Sequence, residues 1–375
     1  MSRMLLSAGK YIQGPGAVGE IGIHARRLGS RGLLIGGKTA LNLCGSAIAE
    51  SLAAQGICCR RELFRGVSSR SEINRLVAAG GEGRADFVIA LGGGSALDAG
   101  KAVAYELKAP VIVVPTTVAS DAPCSALSVI YSEEGVFESY LFLPRNPDCV
   151  LVDTAVVAQS PARFLVAGMG DALATVWESG TCARSGKPNP LTDGGQQTLA
   201  TLALARLCYD TLRQWGLQAK LAVERGVVTP AVEAIVEANI LLSGLSSENG
   251  GHAGAHSIHN GLTTLAATRN KLHGEKVAFG VLAQLVLEGR SAAEILEVQG
   301  FCSQVGLPIC LAELDLPQPT REEIRQVAET AVIEGETIHA SWFPVTATLV
   351  EAAIWTADAL GSEYRKTLGN QRLTA

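Results

Sequence analysis

No run of about 18 apolar residues, the length a membrane-spanning helix needs, occurs anywhere in the 375-residue chain. No block of Lys or Arg forms a stripe, and the formal net charge is −5, so neither nucleic acid nor a membrane is an expected partner. Met1-Ser2-Arg3-Met4-Leu5-Leu6 lacks the sustained apolar core of a signal peptide. No C-x-x-C pair occurs, and the nine cysteines follow no regular spacing. That pattern reads as free thiols in a reducing compartment, and the expected localisation is cytoplasmic. Repeats and low-complexity tracts are missing as well. Charged residues make up only 18% of the chain against 47% hydrophobic, enough to bury a large core without disulfides.

The length suits two domains, and the two halves have different grammar. In the first, short apolar runs end at turn residues: Leu33-Leu34-Ile35 at Gly36, Phe87 to Leu91 at Gly92, Val111 to Val114 at Pro115, and Val150-Leu151-Val152 at Asp153. Short apolar strands separated by helical stretches predict a parallel sheet covered on both faces. Ser69 with Glu72 reads as a capping box. From Ser160-Pro161, a predicted N-cap and first helical residue, strand signals disappear. Helices are predicted near 163–183, 196–214, 219–245, 275–288 and 321–335. The expected architecture is therefore a Rossmann-like α/β domain over 1–160, with a mostly parallel sheet, and an all-α domain over 161–375.

Within the first domain, Gly92-Gly93-Gly94-Ser95 leads from a strand into a helix, with Asp98 and Lys101 following. A strand entering glycines and then a helix N-terminus offers bare N–H groups to an anion, as a dinucleotide pyrophosphate requires. The turn does not read GxGxxG, and a tight turn without ligand has the same local pattern.

In the helical half, Asp171 follows Gly168-Met169-Gly170, and four of the six histidines (252, 256, 259 and 273) fall within 22 residues. One carboxylate and two imidazoles with an open position suit a divalent metal, a Lewis acid that makes an alcohol a better hydride donor. Positions 252, 256 and 259 are expected on one helical face, so spacing alone leaves open which of them ligate.

Taken together, these motifs resemble the glycerol dehydrogenase branch of the iron-containing alcohol dehydrogenase family, which shares the dehydroquinate synthase-like fold. The likeness includes Asp121-Ala122-Pro123-Cys124-Ser125, His256-Ser257-Ile258-His259-Asn260 and His273-Gly274-Glu275-Lys276. It runs collinearly from Gly9 to His339. The resemblance implies that Asp171, His256 and His273 hold the metal, zinc in this branch, with Fe2+ or Mn2+ equally suited to the ligands. It implies that Gly37, Gly93, Gly94, Ser95, Asp98, Thr116, Ala119, Ser125, Leu127 and Tyr131 line an NAD site. Asp121 matches a substrate-side carboxylate, so Asp121, Asp171, His256 and His273 form the expected catalytic and substrate-binding set. His252 and His259 are implied to be bystanders or indirect supporters of the metal. The family's oligomers imply a homo-oligomer, an octamer by likeness.

Two departures stand out. The branch carries an aspartate after the first strand of the nucleotide fold, where this chain has Gly37 followed by Lys38. Loss of that carboxylate removes a ribose acceptor and a charge that excludes NADP. Near the metal, Ser247 and His252 stand where the branch has phenylalanine and leucine, a smaller and more polar lining.

The expected activity is metal-dependent oxidation of the secondary hydroxyl of glycerol or a related small polyol or diol with NAD(P). An NADPH-dependent reductase of 2-oxo acids or aldehydes is the alternative, though Asp121 would repel an acid. A dehydroquinate synthase-type lyase needs cations for a phosphorylated substrate, and 246–263 contains no Lys or Arg.

Overall fold

Strands that are apolar on both faces sit at the centre of a sheet, and this rule orders the first half of the chain. The computed structural model describes residues 2–373. In chain order the elements begin β1 (Tyr11–Gly14), α1 (Ile21–Ala25), β2 (Arg31–Gly36), α2 (Lys38–Ala53), β3 (Cys58–Leu63), α3 (Arg70–Glu82), β4 (Phe87–Gly92), α4 (Gly94–Glu106) and β5 (Val111–Pro115). An antiparallel hairpin, β6 (Leu127–Tyr131) and β7 (Phe137–Phe142), precedes β8 (Cys149–Asp153) and α5 (Thr154–Ala158). The helical remainder comprises α6 (Ala162–Ser185), α7 (Leu199–Val223), α8 (Pro230–Glu237), α9 (Ser243–Gly250), α10 (Gly254–Thr263), α11 (His273–Leu287), α12 (Ala292–Val305), α13 (Arg321–Ala331) and α14 (Ala347–Leu373). Among the described residues no helix is long and apolar enough to cross a membrane.

Six strands form one all-parallel sheet in the order β1-β8-β5-β4-β2-β3. The fully buried β4 and β5 lie inside it, while β3 takes an edge with Arg60, Arg61 and Glu62. Charge on an edge strand discourages pairing with another chain. From β2 the chain runs outward to β3, and from β4 it runs the opposite way to β5. The β2/β4 junction is thus the switch point of the sheet, where open α/β folds bind ligands at their carboxyl ends.

The chain divides into two compact units, one of Leu6–Leu165 with Gln218–Gly244, the other of Met1–Leu5, Val166–Leu217 and Leu245–Ala375. This differs from the contiguous division into 1–160 and 161–375. Residues 218–244 are helical yet belong with the sheet, because Gln13 donates to Glu233 and Asn239 donates to the Val118 and Leu165 carbonyls. The start of α6 differs too. The helix begins at Ala162, one residue after Pro161, and the Ser160 hydroxyl donates to the Val157 carbonyl. Ser69 caps α3 as expected, but the Glu72 carboxylate is taken by the Arg65 N–H and by Arg75.

Candidate active site

The glycine turn falls at the switch point. Gly92 ends β4 with φ +143°, a conformation that favours glycine. Gly93 is the N-cap of α4, without a side chain to satisfy the N–H groups beyond it. Gly37 occupies the matching place after the neighbouring β2, at the start of α2. Its φ of −67° is ordinary, and a Cβ there would meet nothing within 4 Å, so the fold itself does not require glycine.

Most residues expected to line the nucleotide are linked around this turn. Thr116 donates its N–H to the Gly92 carbonyl. The Ser95 hydroxyl accepts from the Ser68 N–H, and the Tyr131 N–H donates to the Ser68 carbonyl. Burial, together with nearby Asp98 and Tyr140, pushes the Tyr131 hydroxyl up to about 12. Asp98 itself is buried and 3.2 Å from the buried Lys101 ammonium. Lys101 also donates to the carbonyls of Ala122 (2.9 Å), Ser125 (3.4 Å) and Leu127. Lys101, paired with Asp98, therefore clasps the 122–127 segment, which carries the expected Ser125 and Leu127. Ala119 lies in the loop after β5, partly buried. Asp121 accepts a 2.9 Å hydrogen bond from Ser243.

The candidate metal centre is built by close helix packing in the other unit. A Cβ at Gly170 would lie 2.2 Å from the Gly274 carbonyl oxygen, and one at Gly274 1.8 Å from that of Ala167. Two bare glycines let α6 and α11 approach backbone to backbone, which sets Asp171 beside His273. Asp171 Oδ1 lies 3.1 Å from His273 Nε2 and 3.5 Å from His256 Nε2. Ligand atoms of the three residues all fall within 4.8 Å of one another. Burial works to raise the Asp171 carboxyl, but His273 and His256 outweigh it and hold it well below the usual range.

A residue the sequence reading missed orients His256. Glu178, two turns after Asp171 on α6, is fully buried. Its Oε2 accepts from His256 Nδ1 at 2.6 Å, while Oε1 accepts the Ala253 and His256 N–H groups at 2.8 and 3.0 Å. One carboxylate thus caps the start of α10 and turns His256 so that Nε2 faces Asp171. The i, i+7 spacing from Asp171 was the available signal.

His252 is not on the helix with His256 and His259. Gly251 has φ +83° and α10 begins only at Gly254, so the shared face expected for all three holds for His256 and His259 alone. The His252 ring instead stacks on His256 with centroids 3.9 Å apart, and its Nε2 is 2.6 Å from the Ser247 hydroxyl. Burial and the neighbouring His256 push it down to about 3. His259 sits behind His273, its Nε2 3.0 Å from His273 Nδ1.

The donor set suits a divalent cation. A buried carboxylate and two imidazole Nε2 atoms converge, and the far nitrogen of each ring is already engaged.

Residues 8–154 match the family described as iron-containing alcohol dehydrogenase. Over 364 residues the chain is 47% identical to a glycerol dehydrogenase of Citrobacter freundii, covering 97% of this chain and 99% of that one. The chain belongs to the iron-containing alcohol dehydrogenase family. It is also 46% identical over 365 residues to a glycolaldehyde reductase of Halobacterium salinarum, covering 97% of this chain and all of that one. The crystal structure of glycerol dehydrogenase from Schizosaccharomyces pombe superposes with a TM-score of 0.93 at 35% identity, over 98% of this chain and 93% of that chain.

Proposed function

We propose that this chain oxidises the secondary hydroxyl of glycerol, or of a related small polyol or diol, by hydride transfer to NAD(P). The observation that carries the metal dependence is the convergence of Asp171, His256 and His273, with Glu178 locking His256. Names of relatives that match nearly end to end support the polyol substrate. In this reading Asp171, His256 and His273 would hold a divalent metal, zinc in the first instance, which would supply Lewis acidity towards the alcohol. Asp121, fixed by Ser243, accepts a hydrogen bond from a substrate hydroxyl. Gly93, Gly94 and the first turn of α4 hold the pyrophosphate, and Lys101 keeps Ser125 and Leu127 in place beside it. NAD(P), when bound, would supply the acceptor for the hydride of the carbinol carbon, and the hydroxyl proton would leave to solvent.

Gly37 leaves room for a 2′-phosphate, and exposed Lys38 adjoins it, so NADP is accepted beside NAD. The nine free cysteines fit a cytoplasmic enzyme, and the family resemblance favours a homo-oligomer.

The test is reduction of NAD and NADP with glycerol by metal-stripped protein, before and after adding Zn2+. Activity restored by zinc and lost in His256→Ala supports the reading. Zinc bound without activity on glycerol or 1,2-propanediol refutes the polyol substrate. Faster turnover of glycolaldehyde with reduced cofactor would favour the reductive role that the Halobacterium relative's name suggests.

A further inference from the structure

Behind His273 stands a row of side chains whose hydrogen positions can be worked out from its far end. Asn260 Nδ2 lies 3.1 Å from both Oε1 and Oε2 of Glu336. An ionised carboxylate only accepts, so the Asn260 amide nitrogen must face Glu336 and its oxygen must face away. That oxygen is 3.0 Å from His259 Nδ1. An amide oxygen also only accepts, so His259 carries its hydrogen on Nδ1. In the neutral ring Nε2 is then an acceptor, and it lies 3.0 Å from His273 Nδ1. The hydrogen of that contact belongs to His273 Nδ1. The Nε2 lone pair of His273 is thereby directed to the side where Asp171 lies 3.1 Å away. The reverse order, with a hydrogen on His259 Nε2, would require His259 to be a cation.

Glu336 does not hang free at the end of the row. The Thr337 hydroxyl donates to the Ala253 carbonyl at 2.8 Å, and the Ile338 N–H donates to the Ser257 hydroxyl at 2.8 Å. Both contacts strap 336–338 onto α10, the helix that carries His256, His259 and Asn260.

Building on the metal reading above, we propose that Glu336, Asn260 and His259 are positioning residues that fix His273 with its hydrogen on Nδ1 and so present Nε2 to the metal. Glu178 does this for His256 directly, whereas His273 is held through three residues, the last of them contributed by the segment between α13 and α14. Because Asn260 cannot pass a proton along, the row orients and does not conduct.

The experiment measures Zn2+ affinity by competition with a chromophoric chelator, without nucleotide or substrate, together with 15N NMR of histidine-labelled protein. In wild type, His259 is expected to show a protonated Nδ1 and a bare Nε2. Asn260→Ala and Glu336→Ala should lower Zn2+ affinity about 10- to 100-fold. Glu336→Gln keeps the shape of the side chain but can donate as well as accept, so it no longer fixes which way Asn260 faces and should lower Zn2+ affinity too, whereas a merely structural role for the side chain predicts wild-type affinity in this variant. A hydrogen on His259 Nε2 in the wild-type protein overturns the proposal whatever the variants do. So does wild-type affinity in both alanine variants while Asp171→Asn abolishes binding, a result that leaves the metal centre standing. Folded wild-type protein that binds no Zn2+ removes the metal reading and the proposal with it.

Discussion

One methyl group at position 274 tests how the proposed metal centre is assembled. A Cβ there lies 1.8 Å from the Ala167 carbonyl oxygen, 2.7 Å from the carbonyl carbon and 2.9 Å from the Asp171 nitrogen. All three are backbone atoms of α6, so no side chain can step aside. A carbon–oxygen contact relaxes only near about 3.3 Å, so α6 and α11 must part by roughly 1.5 Å. His273 immediately precedes the new methyl, and Asp171 supplies one of the obstructing atoms, so the displacement falls on two of the three proposed ligands. Metal–ligand distances tolerate only about 0.2 Å. Gly274→Ala is therefore expected to lower Zn2+ affinity by about a hundredfold or more, as loss of a ligand's geometry requires. Overpacking should also destabilise the metal-free protein by about 1–3 kcal/mol.

Gly180→Ala is the control. It lies on the same helix, is exposed, and its Cβ would meet nothing within 4 Å. Helix propensity predicts no loss there and a gain of up to about 1 kcal/mol. Chelator competition and urea unfolding of the stripped proteins read both effects. Wild-type zinc affinity in Gly274→Ala, with unfolding unchanged, would refute the claim that glycine contact between α6 and α11 sets the centre.

Gly37→Asp should shift the ratio of kcat/KM for NAD over NADP at least about tenfold towards NAD, a change of about 1.4 kcal/mol; an unchanged ratio in steady-state assays would remove Gly37 from cofactor selection. Lys101→Met leaves buried Asp98 without its cation, so urea unfolding should show a loss of about 3–5 kcal/mol and fluorescence titration a weaker grip on NADH; equal stability would disprove the clasp. At Glu72, burial acts to raise the carboxyl, but the Arg75 side chain and the Arg65 N–H outweigh it and hold it below its usual 4.5. The folded chain thus binds that proton less readily than the unfolded chain. The stabilisation is complete above pH 4.5 and is lost as pH falls through the lower folded value. Glu72→Gln should cost about 1.5–3 kcal/mol at pH 7 and flatten the acid limb of the stability curve; an acid limb identical to wild type would contradict the assignment.

The parts of this molecule legible from sequence are those whose cause is local. Strands β2, β4, β5 and β8 announce themselves because both faces are buried along their middles, so the residues between exposed Arg31 of β2 and its end, and between Cys149 and Asp153 of β8, are apolar or glycine, as are all of β4 and β5. The same logic hides β3, an edge strand whose Arg60, Arg61 and Glu62 mimic a loop. Asp98 was legible as part of a motif but not in its role, because its partner Lys101 reaches carbonyls more than twenty residues away. The histidine cluster was visible as density along the chain, yet choosing among its members depended on a backbone break. Gly251 turns His252 off the helix, which leaves it stacked on His256.

Glu178 and Glu336 mark the limit of such reading. Each is an ordinary glutamate on a helical or turn segment, where a solvated carboxylate is the usual finding. What sets them apart is three-dimensional: Glu178 reaches a helix N-terminus and an imidazole nitrogen at once, and Glu336 fixes an amide that fixes a ring. Ligand residues are few and chemically distinctive, so a sequence can nominate them. The residues that aim them can be any hydrogen-bonding type that arrives at the right distance, and only the fold brings residue 336 within 3.1 Å of Asn260. Differences in metal affinity among members of this family are therefore to be sought first in such outer partners, where identical ligand sets can still present different lone pairs.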